Sequence, residues 1–400
     1  MSAMKRLFQL MAEKKASDIF LSVSSPINIK INGVAVPVNQ QVMDSDTIIK
    51  LLHEVLTPKQ IKEYEDTLEL NTAFTYEPHG SFRISAFRQK GSPAVVVRYI
   101  PSDIPPIDSL GLPEVLKEVI MEKRGLILMV GATGSGKSTS LAAMLDYRNE
   151  LKSGHILTLE DPVEFIFKNK KSLVNQREVG SDTLDFKVAL KNALRQAPDC
   201  ILIGEVRDKD TMAASIAYAQ SGHLCLATLH ANNSYHAINR IISFYPLENR
   251  PALLQDLAAT LKCVVSQRLI RNKKGGRSAA VEVMLNTRHI AELIEKGEIS
   301  EMKEAMDKSM APGSQTFEQC FFKMIRDGSI SQEEAMANAD SPSNLIWLLN
   351  NTEVGATTPG GAGTAKQEEK KQQDVAAGIT TQESGGASFT EITLITEDSH

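Results

Sequence analysis

Residues 131–138 read Gly-Ala-Thr-Gly-Ser-Gly-Lys-Ser and directly follow a short apolar run, Leu126 to Val130. This is the complete GxxxxGK[ST] pattern of a phosphate-binding loop, and it lies between a predicted strand and a predicted helix. Glycines let backbone N–H groups converge on phosphate oxygens, and the helix N-terminus adds positive potential. Lys137 is expected to neutralise the β- and γ-phosphates of ATP, and the Ser138 hydroxyl to bind Mg²⁺. The predicted nucleotide-binding residues are Gly131, Ala132, Thr133, Gly134, Ser135, Gly136, Lys137, Ser138 and Thr139.

The sequence around this loop predicts an α/β fold. Short apolar runs at 126–130, 156–159, 200–203 and 224–229 alternate with helical patterns. Apolar strands alternating with helices are typical of a parallel sheet that is covered on both faces. We therefore expect a P-loop core with a central parallel sheet.

The rest of the chain divides by composition. Residues 1–100 mix helical and strand patterns and include the Asn32-Gly33 hairpin signal, which predicts a small α+β domain. Prolines at 101, 105, 106 and 113 predict a stiff linker. The predicted parts are an N-terminal domain at 1–100, a linker at 101–115, a core at 116–285, a helical region at 286–351 and a disordered acidic tail at 352–400.

Charge and cysteine spacing argue against several classes of protein. The tail holds eight acidic and three basic residues, so it accounts for the whole net charge of −5 and leaves the rest near neutral. A nucleic-acid-binding protein would more often show a basic excess, so nucleic acid is an unlikely partner. The four cysteines, at 200, 225, 263 and 320, are too far apart for a CxxC zinc site. We expect no zinc, no transmembrane helix and a cytoplasmic location.

Polar side chains at the ends of the predicted strands are the candidate catalytic residues. Ligands bind at the carboxyl ends of strands in open α/β sheets, where several polar groups meet. A strand-end carboxylate can hold Mg²⁺ through water, and Glu205 fits this role. A second carboxylate must orient the attacking water; either Glu164 or Glu160 fits. The candidates are Glu160, Asp161 and Glu164 after the second strand, Glu205 after the third, and His223 and His230 flanking the fourth.

Two arginines of the first domain are also candidates, because negative charge builds on the transferred phosphoryl group. Arg83 and Arg98 lie on strand-like segments. They can reach a nucleotide only across the linker or from a neighbouring subunit.

Several of these stretches resemble the type IV pilus retraction ATPases of the secretion ATPase superfamily, the PilT/PilU family. The resemblance covers roughly residues 1–350 and includes Ser17-Asp18 and 81–87 (SFRISAF). The segments 194–199 (LRQAPD) and 222–233 (GHLCLATLHANN) favour the PilU branch. The main motifs are 131–139 (GATGSGKST), 159–165 (LEDPVEF), 174–179 (VNQREV), 202–208 (LIGEVRD) and 223–232 (HLCLATLHAN).

This resemblance implies a PAS-like N-terminal domain, a RecA-like ATPase core and a homo-hexameric ring. It implies ATP hydrolysis that powers pilus retraction through a platform protein at the inner membrane, where the ring would be peripheral. Lys137 and Ser138 match the Walker A residues, Glu205 matches the Walker B glutamate and Glu164 matches the catalytic glutamate of the acidic box. Glu160 and Asp161 lie beside it, and His223 and His230 match the histidine box. Arg83 and Arg98 match arginines that complete the site of the next subunit.

One departure from the family bears on function. The PilT branch has a C-terminal motif rich in Ala, Ile, Arg, Asn and Leu that retraction requires, and Thr287–Glu298 lacks it. We therefore expect a ring that assists a PilT-type ATPase. The alternatives are an adaptor ring with slow hydrolysis or a RecA-like nucleic-acid translocase. A pilus assembly ATPase would usually carry a four-cysteine zinc site.

Overall fold

The computed structural model describes residues 2–31, 33–100 and 103–351. The tail predicted at 352–400 lies outside these residues. The strands are β1 Asp18–Ser22, β2 Pro26–Ile31, β3 Val34–Val42, β4 Glu69–Tyr76, β5 Gly80–Gln89, β6 Ser92–Ile100, β7 Gly125–Val130, β8 Gly154–Glu160, β9 Ser172–Glu178, β10 Cys200–Ile203, β11 Leu224–Leu229, β12 Leu261–Arg271 and β13 Arg277–Leu285. The α-helices are α1 Ala3–Lys14, α2 Ser45–His53, α3 Pro58–Thr67, α4 Val115–Ile120, α5 Lys137–Leu151, α6 Phe186–Ala193, α7 Lys209–Gln220, α8 Ser234–Ser243, α9 Arg250–Thr260, α10 Arg288–Lys296, α11 Met302–Asp307, α12 Phe317–Arg326, α13 Gln332–Asn338 and α14 Pro342–Asn351.

The N-terminal sheet is antiparallel, with the strand order β3-β2-β1-β6-β5-β4. Helices α1 and α2 bury Phe8, Ile48 and Leu52 in its core. Thr57 caps α3 in a capping box with Gln60, as the Thr-Pro start of that helix predicts. This sheet places Arg83 on β5 directly beside Arg98 on β6.

The core sheet has the order β13-β12-β7-β11-β10-β8-β9. Its neighbours pair in parallel from β12 through β9, and β13 alone pairs antiparallel, with β12. All six residues of β7 are buried because helices cover both faces. The predicted α/β fold is confirmed, and the phosphate-binding loop follows the central strand β7.

Two apolar layers hold the helices against this sheet. On one face α4 and α5 contribute Leu116, Leu141 and Leu145. On the other face α7, α8 and α9 contribute Met212, Ile238 and Leu257, among others. Burial of each such side chain stabilises the fold by about 1.5–3 kcal/mol. A further cluster packs α12 and α14 against the ends of β12 and β13 through Phe317, Phe321 and Leu345.

Four strands were not predicted in the sequence analysis: β4, β9, β12 and β13. The loop 272–276, Asn-Lys-Lys-Gly-Gly, joins β12 to β13. Among residues 2–31, 33–100 and 103–351, no helix is both long enough and apolar enough to cross a membrane.

Candidate active site

The loop at 131–136 requires glycine at two positions for steric reasons. Gly131 and Gly136 adopt positive φ angles of 153° and 88°. A Cβ on Gly131 would lie 2.5 Å from Ser135 Oγ and 2.6 Å from Gln267 O, and one on Gly136 would lie 2.7 Å from Gln267 Nε2. Side chains at these positions would both strain the backbone and displace the loop.

A buried glutamine on β12 fixes the loop and its helix. Gln267 Nε2 donates to Ser135 O at 2.9 Å, and Gln267 Oε1 accepts from Ser140 Oγ at 2.7 Å. Sequence analysis missed Gln267; the signal was a polar residue inside the apolar run of a strand. Ser135 Oγ is buried with no hydrogen-bond partner among the described residues. An unpartnered hydroxyl inside a glycine cradle at a helix N-terminus fits a phosphate ligand.

Lys137 begins α5 and folds back over the loop. Its Nζ donates to Gly131 O at 2.8 Å and to Ala132 O at 2.9 Å. Burial lowers the pKa of Lys137, and the charges of Glu205 and Glu164 oppose that shift. The positive charge of Lys137 therefore interacts with the negative charges of both carboxylates.

A cavity of about 200 Å³ joins the loop to the strand ends, and we call it the catalytic cavity. It brings together most of the predicted catalytic groups, because parallel strands end at one edge of the sheet. Its lining includes Thr133, Gly134, Lys137, Ser138, Glu160, Asp161, Glu164, Glu205 and His230. Thr139 instead lines a second, larger cavity of about 860 Å³, together with Gly136 and Ser140.

Glu205 is held from both sides at the end of β10. His230 Nε2 lies 3.2 Å from Glu205 Oε1, and Arg207 Nε donates to Glu205 Oε2 at 2.6 Å. Arg207 also pairs with Asp161 at 3.2 Å. Its hydrogen bond with Glu205 raises the pKa of Arg207. Sequence analysis did not single out Arg207, although it lies only two residues after Glu205.

The two candidate bases of the acidic box have different surroundings. Glu160 is buried and accepts hydrogen bonds from Thr158 Oγ1 at 2.6 Å and Gln176 Nε2 at 3.3 Å. Burial raises the pKa of Glu160. Glu164 is exposed and lines the catalytic cavity. The geometry favours Glu164 as the group that meets a water molecule and Glu160 as a support beneath it.

The structure does not bring His223 to this site. His223 precedes β11 and His230 follows it, so at about 3.3 Å per residue the two lie roughly 20 Å apart along the strand. The His223 ring instead contacts Tyr218 O at 3.3 Å, at the opposite edge of the sheet. His223 therefore does not line the catalytic cavity of its own chain, because proximity to the strand in sequence does not specify which strand end a residue follows.

Arg83 reaches the acidic box within the same chain. Its Nη2 donates to Val163 O at 2.8 Å, next to Glu164. Burial lowers the pKa of Arg83, while Glu178, Glu164 and Asp161 oppose this and neighbouring Arg98 adds to it. The Nε of Arg83 is buried without a partner among the described residues. Arg98 is more exposed and pairs with Asp18 at 2.9 Å.

No group of three or more His, Cys, Asp or Glu side chains in the described ranges could hold a metal ion by itself. Magnesium in phosphoryl transfer is usually held by one or two protein groups together with phosphate oxygens and waters. Ser138 and Glu205, which line the same cavity, fit that smaller requirement.

Comparisons with known proteins show the family to which this chain is related. A family model described as Type II/IV secretion system protein matches residues 2–337. The chain is 45% identical to the type IV pilus ATPase PilU of Pseudomonas aeruginosa, over 86% of this chain and 91% of that protein. It is 40% identical to the type IV pilus ATPase PilT of the same organism, over 85% and 98%. The crystal structure of the pilus retraction motor PilT with bound ADP superposes with a TM-score of 0.81 at 37% identity, covering 87% of this chain and 99% of that one.

The chain belongs to the type II/IV secretion system protein family. It is an ATPase of that family, and the predicted resemblance to the PilT/PilU proteins is confirmed.

We predict different effects for the two acidic-box glutamates. Glu164→Gln should lower kcat by about 100-fold with ATP still bound, because a general base is lost from the cavity. Glu160→Gln should lower kcat much less, because an amide can keep the buried contact with Thr158. Steady-state kinetics and nucleotide binding on both purified variants check this.

Glu178→Gln is a matched control, because Glu178 accepts from Val163 N at 2.9 Å but does not line the catalytic cavity. Normal turnover in Glu164→Gln with a dead Glu160→Gln would assign the base to Glu160 instead.

Proposed function

We propose that this chain is an ATP-hydrolysing motor subunit of the type IV pilus machinery, which forms a homo-hexamer and powers or assists pilus retraction. The observation that carries the proposal is the catalytic cavity, where Lys137, Ser138, Glu164, Glu205 and His230 meet. The relatives named PilU and PilT supply the biological setting.

Each group has a proposed task. Lys137 exchanges its contacts with the loop carbonyls for the β- and γ-phosphates of ATP. Ser138 and Glu205 would hold Mg²⁺, which would supply positive charge beside the phosphate oxygens. Glu164 accepts a proton from the attacking water, and His230 contacts the γ-phosphate while holding Glu205. The nucleoside occupies the larger cavity beside Thr139 and Ser140.

The proposed domain organisation follows the predicted boundaries, with Pro101 to Val115 as the linker between the N-terminal domain and the core. Arg83 and Arg98 are proposed to act on the site of the neighbouring subunit in the ring. Within its own chain Arg83 donates to Val163 O at 2.8 Å, so action on a neighbouring site requires this bond to be exchanged when the subunits assemble. The support for this part of the proposal is the match of both arginines to the family arginines that complete the site of the next subunit.

An assisting role is supported by helix α10, which occupies the place of the retraction motif. It buries Ile290, Leu293 and Ile294, and it exposes Arg288 and Glu292, which pair at 3.0 Å. This face differs from the motif of the PilT branch. The proposed protein therefore keeps the residues for ATP hydrolysis but has a different surface for docking at α10. The partners are then a PilT-type ATPase and an inner-membrane platform protein, with the ring peripheral at the cytoplasmic side of that membrane. Neither zinc nor nucleic acid enters this proposal.

We predict that this protein forms hexamers that hydrolyse ATP but retract pili poorly without a PilT-type protein. Cells that lack every PilT-type protein and express this chain should show rare, weak retraction events by fluorescence imaging and force measurement. Adding an ATPase-inactive PilT-type protein should restore retraction, because this ring would then supply the hydrolysis. Retraction of normal frequency and force in the absence of any PilT-type protein would reassign the chain as a primary motor.

We also predict complementation between two inactive variants. Mixed rings of Arg83→Ala and Lys137→Ala subunits should recover part of the ATPase activity, because some interfaces pair an intact loop with an intact arginine. Mixing Lys137→Ala with Glu164→Gln is the control and should recover none, because both residues act within one chain's cavity. If native mass spectrometry shows mixed rings without recovery, Arg83 does not act across subunits.

A further inference from the structure

The segment 231–234 follows His230, and we call it the histidine loop. It makes hydrogen bonds with groups from later parts of the chain. Asn232 O accepts from Arg268 Nη2 at 3.1 Å, and Asn233 Nδ2 donates to Asp340 Oδ2 at 2.8 Å. Ser234 N donates to the buried Glu282 Oε1 at 2.8 Å. Three consecutive residues are thus tied to β12, to β13 and to the segment between α13 and α14.

Arg268 is the centre of these contacts. It pairs with Asp340 at 2.5 Å and donates to Asn338 O from its other terminal nitrogen. Its guanidinium stacks 3.9 Å from the ring centroid of the buried Phe317 on α12. One planar side chain therefore contacts the histidine loop, the α13–α14 connection and α12 at once, which an ammonium group could not do.

These bonds leave the loop little freedom. Asn233 is 1% exposed and also caps α8 by accepting from His236 N at 3.0 Å. Arg268 and Asp340 are only 21% and 17% exposed, so water competes weakly for their bonds. A shift of the α13–α14 segment must therefore either break the Asn233–Asp340 bond or move the loop with it.

Asn232, the first of the three bonded residues, lies only two residues after His230. His230 Nε2 in turn lies 3.2 Å from Glu205 Oε1. Small displacements of a positioned catalytic group reduce rate much more than they reduce substrate binding. Whatever moves the C-terminal helices is thereby able to change the chemical step.

We propose that Arg268 and Asp340 are positioning residues that hold His230 against Glu205 and so make ATP hydrolysis depend on the placement of helices α12–α14. The proposal rests on the role proposed above for His230. It assigns the C-terminal helices a control function over the catalytic cavity, in addition to any contact they make with a partner.

The test compares kcat and ATP affinity of the full-length protein carrying Asp340→Ala or Arg268→Ala. We expect kcat to fall by about 10- to 100-fold while the Kd for ATP changes less than about twofold, because the phosphate-binding loop is untouched. Asp340→Asn should fall in between, since its amide oxygen still accepts one of the two bonds. Arg268→Lys should remain slow, because lysine lacks the planar fork.

Two controls separate positioning from a loss of stability. Arg326→Ala removes the contact of Arg326 with the Phe322 ring, 5.6 Å from its centroid, on the same helix α12 as Phe317. It should lower the melting temperature and leave kcat nearly unchanged. In a His230→Ala background, Asp340→Ala should cause no further loss, because residues that act through one group are not additive.

The outcomes are distinguishable. If His230→Ala hydrolyses ATP normally, the proposed role of His230 is wrong. If His230→Ala is slow but Asp340→Ala and Arg268→Lys turn over normally, only the positioning inference is overturned. Losses that add fully in the double variant would also overturn it. Should Asp340→Ala not fold, Arg268→Lys decides: reduced kcat with retained ATP affinity supports positioning, and normal kcat refutes it.

Discussion

The parallel hydrogen bonding of β7, β11, β10 and β8 is the constraint on which the site depends. Parallel strands end at the same edge of a sheet, so the segments that follow them meet without any long-range search. The phosphate-binding loop, His230, Glu205 and the acidic box follow these four strands in turn. If one of these strands were antiparallel, its catalytic group would lie at the opposite edge.

His223 illustrates the same constraint from the other side. It is separated from His230 only by strand β11, yet that strand carries the two rings to opposite edges of the sheet.

Burial provides a second constraint at the edge that carries the catalytic cavity. Glu160 and Gln267 are both buried polar residues: Glu160 accepts from Thr158 on β8, and Gln267 donates to Ser135 O of the phosphate-binding loop. Loss of either partner would leave a buried polar group unsatisfied, at a cost of about 1–3 kcal/mol.

Much of this arrangement could be predicted from sequence because its signals are local. The phosphate-binding loop is a fixed spacing, and the apolar strands 126–130, 156–159, 200–203 and 224–229 stand out against their surroundings. That the polar residues after these strands meet at one site was predicted from a general rule about parallel sheets. Strand β9 was not predictable in this way, because its sequence, Ser-Leu-Val-Asn-Gln-Arg-Glu, is mostly polar. It forms a strand by pairing with β8 as the outermost strand of the sheet.

Contacts between distant residues account for the rest. Gln267 lies 132 residues from Ser135, and Asp340 lies 107 residues from Asn233. Gln267 is recognisable as a polar residue within an apolar run, but the sequence around Gln267 or Asp340 does not indicate which distant residue is the partner. Strands β4, β12 and β13, in contrast, have alternating or β-branched residues, and these signals could have been found.

The most direct test of the account is ATP hydrolysis by purified Lys137→Ala protein, measured beside nucleotide affinity. Since Lys137 is the cation of the loop and lies near Glu164 and Glu205, its loss should reduce turnover by about 100-fold or more and weaken ATP binding. Lys308→Ala is a suitable control, because this exposed lysine directly after α11 pairs with Glu304 and does not line the catalytic cavity. Unchanged turnover in Lys137→Ala would contradict the assignment of this loop and its cavity as the active site.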